Sequence, residues 1–268
     1  MSTQRAVLTG SDLDGFEQQG FIASVQFLQP AQSRRFADQF DELVAREGID
    51  LSAPGYRLND RHLDQQFIWD VATDPALLDV IAAIAGPDLV LLGSRFICKP
   101  PHSALEVPWH RDVTFAGLDP AEQVNVWLAV DDVDTDNGCL RALPKAGAQR
   151  AATLAHDPAD LREGNLVDQS LTLDDEERAA LVALPLAAGH MVVFDGELVH
   201  GSESNSSARR RCGLALRYIG GGTKLLNEGQ WAAVCVRGEV DDQGGRVVSR
   251  EGARSFAYRA IDKFGRPE

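Results

Sequence analysis

The chain has 268 residues, of which 44% are hydrophobic, and it carries a formal net charge of −14. This length is enough to bury a large core, and we expect one domain over residues 1–268. The acidic charge argues against nucleic acid or a membrane as a partner, because both attract positively charged surfaces. No apolar run reaches membrane-spanning length, and residues 1–18 lack the features of a signal peptide. We therefore expect a cytoplasmic protein that binds a small molecule; its oligomeric state has no signal in the sequence.

The first part of the chain has the pattern of a helical layer, roughly over residues 10–87. Asp12 favours a helix start, because acidic side chains stabilise helix N-termini. Residues 29–46 carry apolar side chains at helical spacing. Asp74 followed by Pro75 predicts the start of a further helix.

The chain then changes to short strands, roughly over residues 88–220. Apolar or alternating strand patterns occur at 89–97, 124–133, 139–143, 191–194, 198–200 and 212–219. A helix is predicted at 174–182, and the polar tail at 221–268 receives no assignment. Helices followed by many short strands favour a mainly β fold, in which a helical layer packs on a β-sandwich or barrel.

The four cysteines lie far apart and form no Cys-x-x-Cys pair. This spacing argues against a structural zinc site and against a disulfide framework. We predict that each cysteine is a small hydrophobic residue of the core.

The strongest chemical signal is a His-x-Asp pair, His110 and Asp112. On a β-strand, residues two apart point to the same side, so the imidazole and the carboxylate would face one point. A later strand that returns His200 to this point would complete a set of three ligands. Two histidines and one carboxylate, with the other positions open, bind iron in non-haem Fe(II) oxygenases.

A His-x-Asp pair is weak evidence by itself, because the chain has a second copy at His62 and Asp64. That copy lies in a charged stretch without a strand pattern, and we predict that it lies on the surface or behind a site. His200 strengthens the metal hypothesis because it follows the buried strand pattern at 191–194. The alternative, that these side chains are ordinary polar residues, stays open on this evidence.

A possible anion clamp follows in Arg209-Arg210-Arg211. Arg211 would lie on the last strand with Gly213 and Ala215 on its own face, and these small residues would leave room for a ligand. A planar guanidinium suits a carboxylate. For Arg209 and Arg210 we favour a solvated turn.

Taken together, the motifs resemble those of the phytanoyl-CoA dioxygenase family, in order from about Phe16 to Tyr218. The segments that carry the resemblance are Pro100-Pro101, Val107-Pro108-Trp109-His110-Arg111-Asp112, Val126-Trp127-Leu128-Ala129, Asn137-Gly138-Cys139-Leu140, His200-Gly201-Ser202 and the stretch from Arg211 to Tyr218. The resemblance implies a double-stranded β-helix, or jelly roll, with flanking helices. It also implies Fe(II), O₂ and 2-oxoglutarate as cofactor and cosubstrates, and hydroxylation of an unactivated carbon with release of succinate and CO₂.

The resemblance also assigns roles to individual residues. The catalytic iron ligands would be His110, Asp112 and His200. The residues that bind 2-oxoglutarate would be Arg211, Ser202 and Lys99. Substrate contacts would come from Arg95 and Trp127.

Two positions bear on the reaction. Pro144-Lys145-Ala146-Gly147 stands where the family commonly has Pro-Gly-Ser-His, so a polar pocket contact is lost. Asp112 is retained, whereas relatives that halogenate have a small residue there to admit a halide. The retained carboxylate favours hydroxylation.

Two other readings differ in class. One is a jelly-roll protein that binds a small molecule without catalysis, which would form no succinate. The other is a cupin-like enzyme that uses another metal, because similar ligand sets also bind zinc or nickel. Arg211 and Ser202 argue against both, since neither reading requires a carboxylate clamp.

Overall fold

The computed structural model describes residues 8–52, 58–151, 155, 157–158, 167, 169–226, 233–244 and 246–253. No helix in these ranges is long and apolar enough to cross a membrane. The helices in these ranges are α1 (Gly10–Gln19), α2 (Pro30–Glu47), α3 (Gln66–Ala72), α4 (Pro75–Ala85), α5 (Val113–Ala116) and α6 (Asp175–Ala179).

The strands of the same ranges form two main sheets and two small ribbons. Their bounds are β1 (Phe21–Gln26), β2 (Leu89–Lys99), β3 (Val107–His110), β4 (Leu118–Asp119), β5 (Val124–Ala129), β6 (Leu140–Leu143), β7 (Asp157–Pro158), β8 (Gln169–Ser170), β9 (Val182–Leu184), β10 (His190–Asp195), β11 (Val199–Ser202), β12 (Arg211–Gly220), β13 (Lys224–Leu225), β14 (Ala233–Arg237) and β15 (Val247–Val248). The large sheet has seven strands in the order β1-β10-β5-β12-β2-β14-β15, and the small sheet has four in the order β3-β11-β6-β9. The tail, which had no assignment from the sequence, thus contributes β14 and β15 to the large sheet.

The outer face of the large sheet packs against the helices. Leu214 and Leu216, which alternate along β12, share a core with Phe36 and Phe40 of α2. The hydroxyl of Tyr218, on the same face, donates a 2.8 Å hydrogen bond to the carbonyl oxygen of Ala72 at the end of α3. The helical layer therefore covers one side of the sheet and leaves the other side for the small sheet.

The inner face of the large sheet packs against the small sheet. Trp127, Val192 and Phe194 of the large sheet form one buried cluster with Leu140 and Ala142 of β6. The predicted fold, a mainly β jelly roll with flanking helices, is confirmed. Residues of odd number along β12 lie on this inner face, where the two sheets meet.

The prediction for the cysteines is wrong for two of them. Cys98 of β2 and Cys212 of β12 are direct partners in the strand register, and the structure joins their sulfur atoms in a cross-strand disulfide. Cys139 is a buried free thiol and Cys235 is a partly buried one. The spacing of the cysteines in the sequence does not predict this disulfide, because β-sheet register brings together residues that are 114 positions apart.

The helix predicted at 174–182 is shorter in the structure. It begins with a capping box in which Asp174 and Glu177 each accept a hydrogen bond from the other's backbone N–H. It ends at Ala179, and the chain continues as β9, where Leu184 pairs with Leu140 of β6. The end of the predicted helix, at Val182, therefore forms a strand, because it pairs with β6 although its composition favours a helix.

Gly213 of β12 provides the first test of the inner-face packing. A β-carbon at this position would lie 2.0 Å from the nearest ring carbon of Trp127. Replacing Gly213 with alanine should therefore lower the free energy of unfolding by about 1 to 3 kcal/mol, the usual cost of overpacking. Urea unfolding measures this. Gly222→Ala is the control because a β-carbon there meets no atom within 4 Å, and equal stability of the two variants would contradict the packing.

Candidate active site

Strand register brings the two predicted histidine ligands together. His110, the last residue of β3, is the direct partner of His200 in β11. Both side chains are buried, and their ring centroids lie 4.3 Å apart. The ring of Phe194 packs against His200 at a centroid distance of 4.8 Å and connects this pair to the large sheet.

Asp112 reaches the same point by a different route from the one predicted. The strand ends at His110, and Asp112 adopts a helical conformation as the first residue before α5. The N–H of Val113 donates to the carbonyl oxygen of Gly196, which fixes this turn against the β10–β11 connection. Asp112 Oδ1 lies 3.3 Å from His110 Nε2. The ligand atoms of the three side chains all lie within 4.8 Å of one another.

The hydrogen bonds of the two imidazoles prepare them for a metal. His110 Nδ1 lies 2.7 Å from the carbonyl oxygen of Pro108, and His200 Nδ1 lies 2.9 Å from that of Leu198. A carbonyl oxygen only accepts, so each Nδ1 carries a proton and Nε2 is the nitrogen that would bind a metal. Burial and the neighbouring His110 lower the pKa of His200 to about 4, which keeps this ring neutral. The donor set, two imidazoles and one carboxylate, fits a divalent iron ion.

Arg217 is a residue of the site that the sequence analysis missed. Its Nε lies 3.7 Å from Asp112 Oδ2. Burial alone would raise the pKa of Asp112, but the charge of Arg217 and the hydrogen bond from His110 hold it well below its usual range. A detectable signal existed: Arg217 is six residues after Arg211 in one strand, and even spacing places both on one face.

The three residues predicted to bind 2-oxoglutarate lie together at one end of the inner face. Arg211 and Lys99 are direct partners in the β12–β2 register. Lys99 Nζ donates to Ser202 Oγ at 2.7 Å, to the carbonyl oxygen of Ser202 at 3.1 Å and to that of Glu203. All three predicted side chains are buried. Burial and the charge of Arg211 lower the pKa of Lys99 to about 6.

The guanidinium of Arg211 lies on the indole ring of Trp127, 4.5 Å from its centroid. Its Nη1 donates to the carbonyl oxygen of Ile97 at 3.3 Å, and its Nε is buried without a partner among the described residues. The space above Gly213, which we expected to hold a ligand, is filled by Trp127. Burial lowers the pKa of Arg211 to about 10, so the guanidinium stays charged at neutral pH.

The two predicted substrate contacts lie in different surroundings. Trp127 is buried beneath Arg211, and the contact the structure shows is with that guanidinium. Arg95 lies on the inner face of β2, opposite Ala215 of β12, and its backbone bridges to Asn59. A contact of either residue with substrate stays a prediction.

A comparison with known families decides which class of protein carries this site. A family model described as phytanoyl-CoA dioxygenase (PhyH) matches residues 16–213. The chain belongs to the phytanoyl-CoA dioxygenase family. The resemblance found in the sequence is therefore confirmed, over nearly the same part of the chain.

Individual relatives agree with the family. Human peroxisomal phytanoyl-CoA dioxygenase is 24% identical over 234 residues, which cover 79% of this chain and 68% of the human protein. The non-haem monooxygenase ThoJ in complex with nickel has a TM-score of 0.70 and 23% identity, and covers 94% of this chain and 96% of its own. CytC3 with Fe(II) and α-ketoglutarate has a TM-score of 0.68 and 20% identity, and covers 93% of this chain and 96% of its own.

Membership in the phytanoyl-CoA dioxygenase family confirms the enzyme class predicted from the sequence. The chain is a non-haem iron dioxygenase that uses Fe(II), 2-oxoglutarate and O₂. This class matches the buried histidine pair and carboxylate, which form the one potential metal-binding group of three or more His, Cys, Asp or Glu residues among the described residues.

The second His-x-Asp copy, His62 and Asp64, is not part of this potential metal-binding group. His62 is fully buried, so of the two predicted placements the surface one is wrong for this residue, and its Nδ1 lies 2.8 Å from Ser94 Oγ. Asp64 instead accepts hydrogen bonds from the side chain of Arg61 at 3.0 Å and 2.8 Å. Residues 58–62 follow the edge of β2, and this pairing buries a stretch whose composition is charged.

Asp60 gives a pH-dependent prediction. Burial raises the pKa of Asp60 to about 6, although the N–H of Ser94 and the charge of Arg217 act in the opposite direction. Between about pH 4 and pH 6 the folded protein holds more protons than the unfolded chain, so its stability falls as the pH rises through this window. Asp60→Asn should lack this fall and keep the acceptor for Ser94.

The expected gain for Asp60→Asn is about 1 to 3 kcal/mol in the free energy of unfolding above pH 6. Asparagine tolerates the positive φ of 53° at this position, so the backbone adds little strain. Urea unfolding at pH 4 and pH 7.5 measures the gain. A variant that is equally stabilised at both pH values, or at neither, would show that Asp60 ionises normally in the folded protein.

Proposed function

We propose that this dioxygenase hydroxylates an unactivated C–H bond of a small-molecule substrate and releases succinate and CO₂. The observation that carries the proposal is the neighbourhood of two buried groups. The buried His110, Asp112 and His200 form one ligand group, and Ser202, two residues after His200 on β11, accepts a hydrogen bond from Lys99, the register partner of the buried Arg211. A carboxylate clamp beside a three-ligand iron site is what a chelating 2-oxo acid requires.

In this proposal His110, Asp112 and His200 hold the iron and leave the remaining positions open. Pro108 and Leu198 fix the two rings through their carbonyl oxygens. The bound Fe(II) supplies oxygen activation coupled to the decarboxylation of 2-oxoglutarate. Asp112 occupies a position that a halide would need, which supports hydroxylation over halogen transfer.

Arg211, Ser202 and Lys99 would bind the distal carboxylate of 2-oxoglutarate. Trp127 positions the guanidinium from below, and the Ser202 hydroxyl is placed by its hydrogen bond from Lys99. Burial lowers the pKa of Lys99 to about 6, and a bound carboxylate would favour its protonated form. We also propose that Arg95 and Trp127 contact the substrate.

The test is succinate formation by the full chain. Protein loaded with Fe(II) under anaerobic conditions should convert 2-oxoglutarate to succinate once O₂ is admitted, and zinc-loaded protein should not. A compound that raises this rate should gain one oxygen atom from ¹⁸O₂. No succinate from folded, iron-loaded protein would overturn the proposal and favour a small-molecule binding protein.

The substrate class and the compartment remain proposals of the same kind. A small metabolite is the partner we propose. Residence in the cytoplasm is a prediction from the sequence alone. The name of the human relative places that protein in the peroxisome.

A further inference from the structure

A second pair of polar side chains lies on the inner face of the large sheet, beside the metal ligands. Arg217 of β12 and Asn125 of β5 are direct partners in the strand register. Directly opposed side chains on one face are about 5 Å apart at their β-carbons. On the other side of Arg217 the partner is Gly93 of β2, which has no side chain to fill the space.

Arg217 keeps its hydrogen-bonding capacity. In the ranges that the structure describes, its guanidinium makes no hydrogen bond, and its contact with Asp112 is an ion pair at 3.7 Å. The side chain is 18% exposed, so part of it is accessible to a ligand. A guanidinium carries five N–H donors, so most of them are available to a ligand.

Asn125 adds an unpartnered donor at the same place. The side chain is 1% exposed. Its Oδ1 accepts a 2.6 Å hydrogen bond from Gln123 Nε2, but its Nδ2 is buried without a partner among the described residues. A buried donor without an acceptor costs about 1 to 3 kcal/mol, so a ligand that supplies the acceptor is favoured.

Two carboxyl groups near Arg217 have other partners in the loaded enzyme. Asp112 would give its charge to the iron, and Asp60 accepts the N–H of Ser94 at 3.1 Å. The cationic clamp at Arg211 is six residues away on the same extended strand, a distance of about 20 Å between the Cα atoms. The positive charge of Arg217 is therefore separate from that clamp and lies beside Asp112.

We propose that Arg217 and Asn125 form a subsite for an oxyanion of the substrate, in the first place a carboxylate. This inference rests on the proposed function and names the substrate class of the same site. Both side chains present donors, so the ligand must accept hydrogen bonds, and the guanidinium selects a negative charge. A carboxylate held there places the carbons next to it close to the iron ligands.

The experiment uses the full chain loaded with Mn(II) and saturating 2-oxoglutarate, with acetate as the probe. The paramagnetic ion should shorten the relaxation time of the acetate methyl protons in a saturable way. Acetamide, which is neutral and of the same shape, should bind at least about tenfold more weakly. Methylphosphonate identifies the anion: preference for acetate indicates a carboxylate substrate, and preference for methylphosphonate indicates a phosphonate-type oxyanion at the same subsite.

Two variants test the residues. Arg217→Gln removes the charge, and Asn125→Asp keeps the acceptor for Gln123 while replacing the free donor with a carboxylate oxygen. Each should weaken acetate binding at least about tenfold. Arg237→Gln is the matched control because Arg237 pairs with Asp79 on the outer side of the sheet, and it should bind acetate like the parent chain.

Saturable acetate binding that is equal in Arg217→Gln and the parent chain would overturn the subsite, and so would equal binding of acetate and acetamide. The proposed function is tested separately in the same preparations. If Fe(II) and 2-oxoglutarate give no visible charge-transfer band in the parent chain, the proposed function fails. A band without acetate binding overturns the subsite alone.

Discussion

Replacing Asp112 with alanine is expected to lower O₂-dependent succinate formation at least about a hundredfold, while the far-ultraviolet circular dichroism spectrum stays native. The removal of residues that merely orient metal ligands already costs about 10- to 100-fold, and Asp112 would itself be a ligand. Its carboxylate is also the group that the charge of Arg217 and the hydrogen bond from His110 keep ionised. His110→Ala should have an effect of the same size.

The chain supplies its own control for this substitution. Asp64 belongs to the second His-x-Asp copy, and its carboxylate pairs with Arg61 at 2.8 Å. Asp64→Ala should leave the rate of succinate formation unchanged. If Asp112→Ala forms succinate as fast as Asp64→Ala and the parent chain do, the assignment of the iron ligands is wrong.

Replacing Arg211 with alanine is expected to raise the KM for 2-oxoglutarate at least about 30-fold. Truncation of one partner of a buried charge pair costs about 2 to 5 kcal/mol, and each 1.4 kcal/mol is a factor of ten in affinity. The KM of Arg211→Lys for 2-oxoglutarate should lie between those of the parent chain and Arg211→Ala, because lysine keeps the charge but loses the planar guanidinium. Steady-state kinetics with varied 2-oxoglutarate measures both.

Arg209→Ala is the control for the clamp, because Arg209 is half exposed and pairs with Asp134 at 2.6 Å. It should leave the KM for 2-oxoglutarate unchanged. Iron affinity distinguishes a residue that binds 2-oxoglutarate from an iron ligand. Arg211→Ala should bind Fe(II) as tightly as the parent chain does. Loss of iron binding with an unchanged affinity for 2-oxoglutarate would contradict the role assigned to Arg211.

The sequence was sufficient for the parts of the site that follow strand periodicity and motif order. The structure brings His110 and His200 together because their strands pair in register, as the motif order implied. Asp112 was predicted for the wrong local reason. A turn into α5, rather than a continued strand, carries its carboxylate to the histidines.

Two residue pairs could not be predicted from the sequence, because they depend on which strands are neighbours in the sheet. The Arg217–Asn125 pair and the Cys98–Cys212 pair exist because β12 lies between β5 and β2. Periodicity gives the face on which a residue lies but not its partner across the sheet. Gly213 shows the same limit, since the side chain that fills its space comes from the neighbouring β5.

The most direct test of the account is the visible spectrum of the anaerobic protein. Addition of Fe(II) and then 2-oxoglutarate should produce a weak charge-transfer band, because the 2-oxo acid would chelate an iron that His110, Asp112 and His200 hold. The band should be absent in His200→Ala. A folded parent chain that gives no band, or a His200→Ala variant that gives the full band, would contradict the site described above.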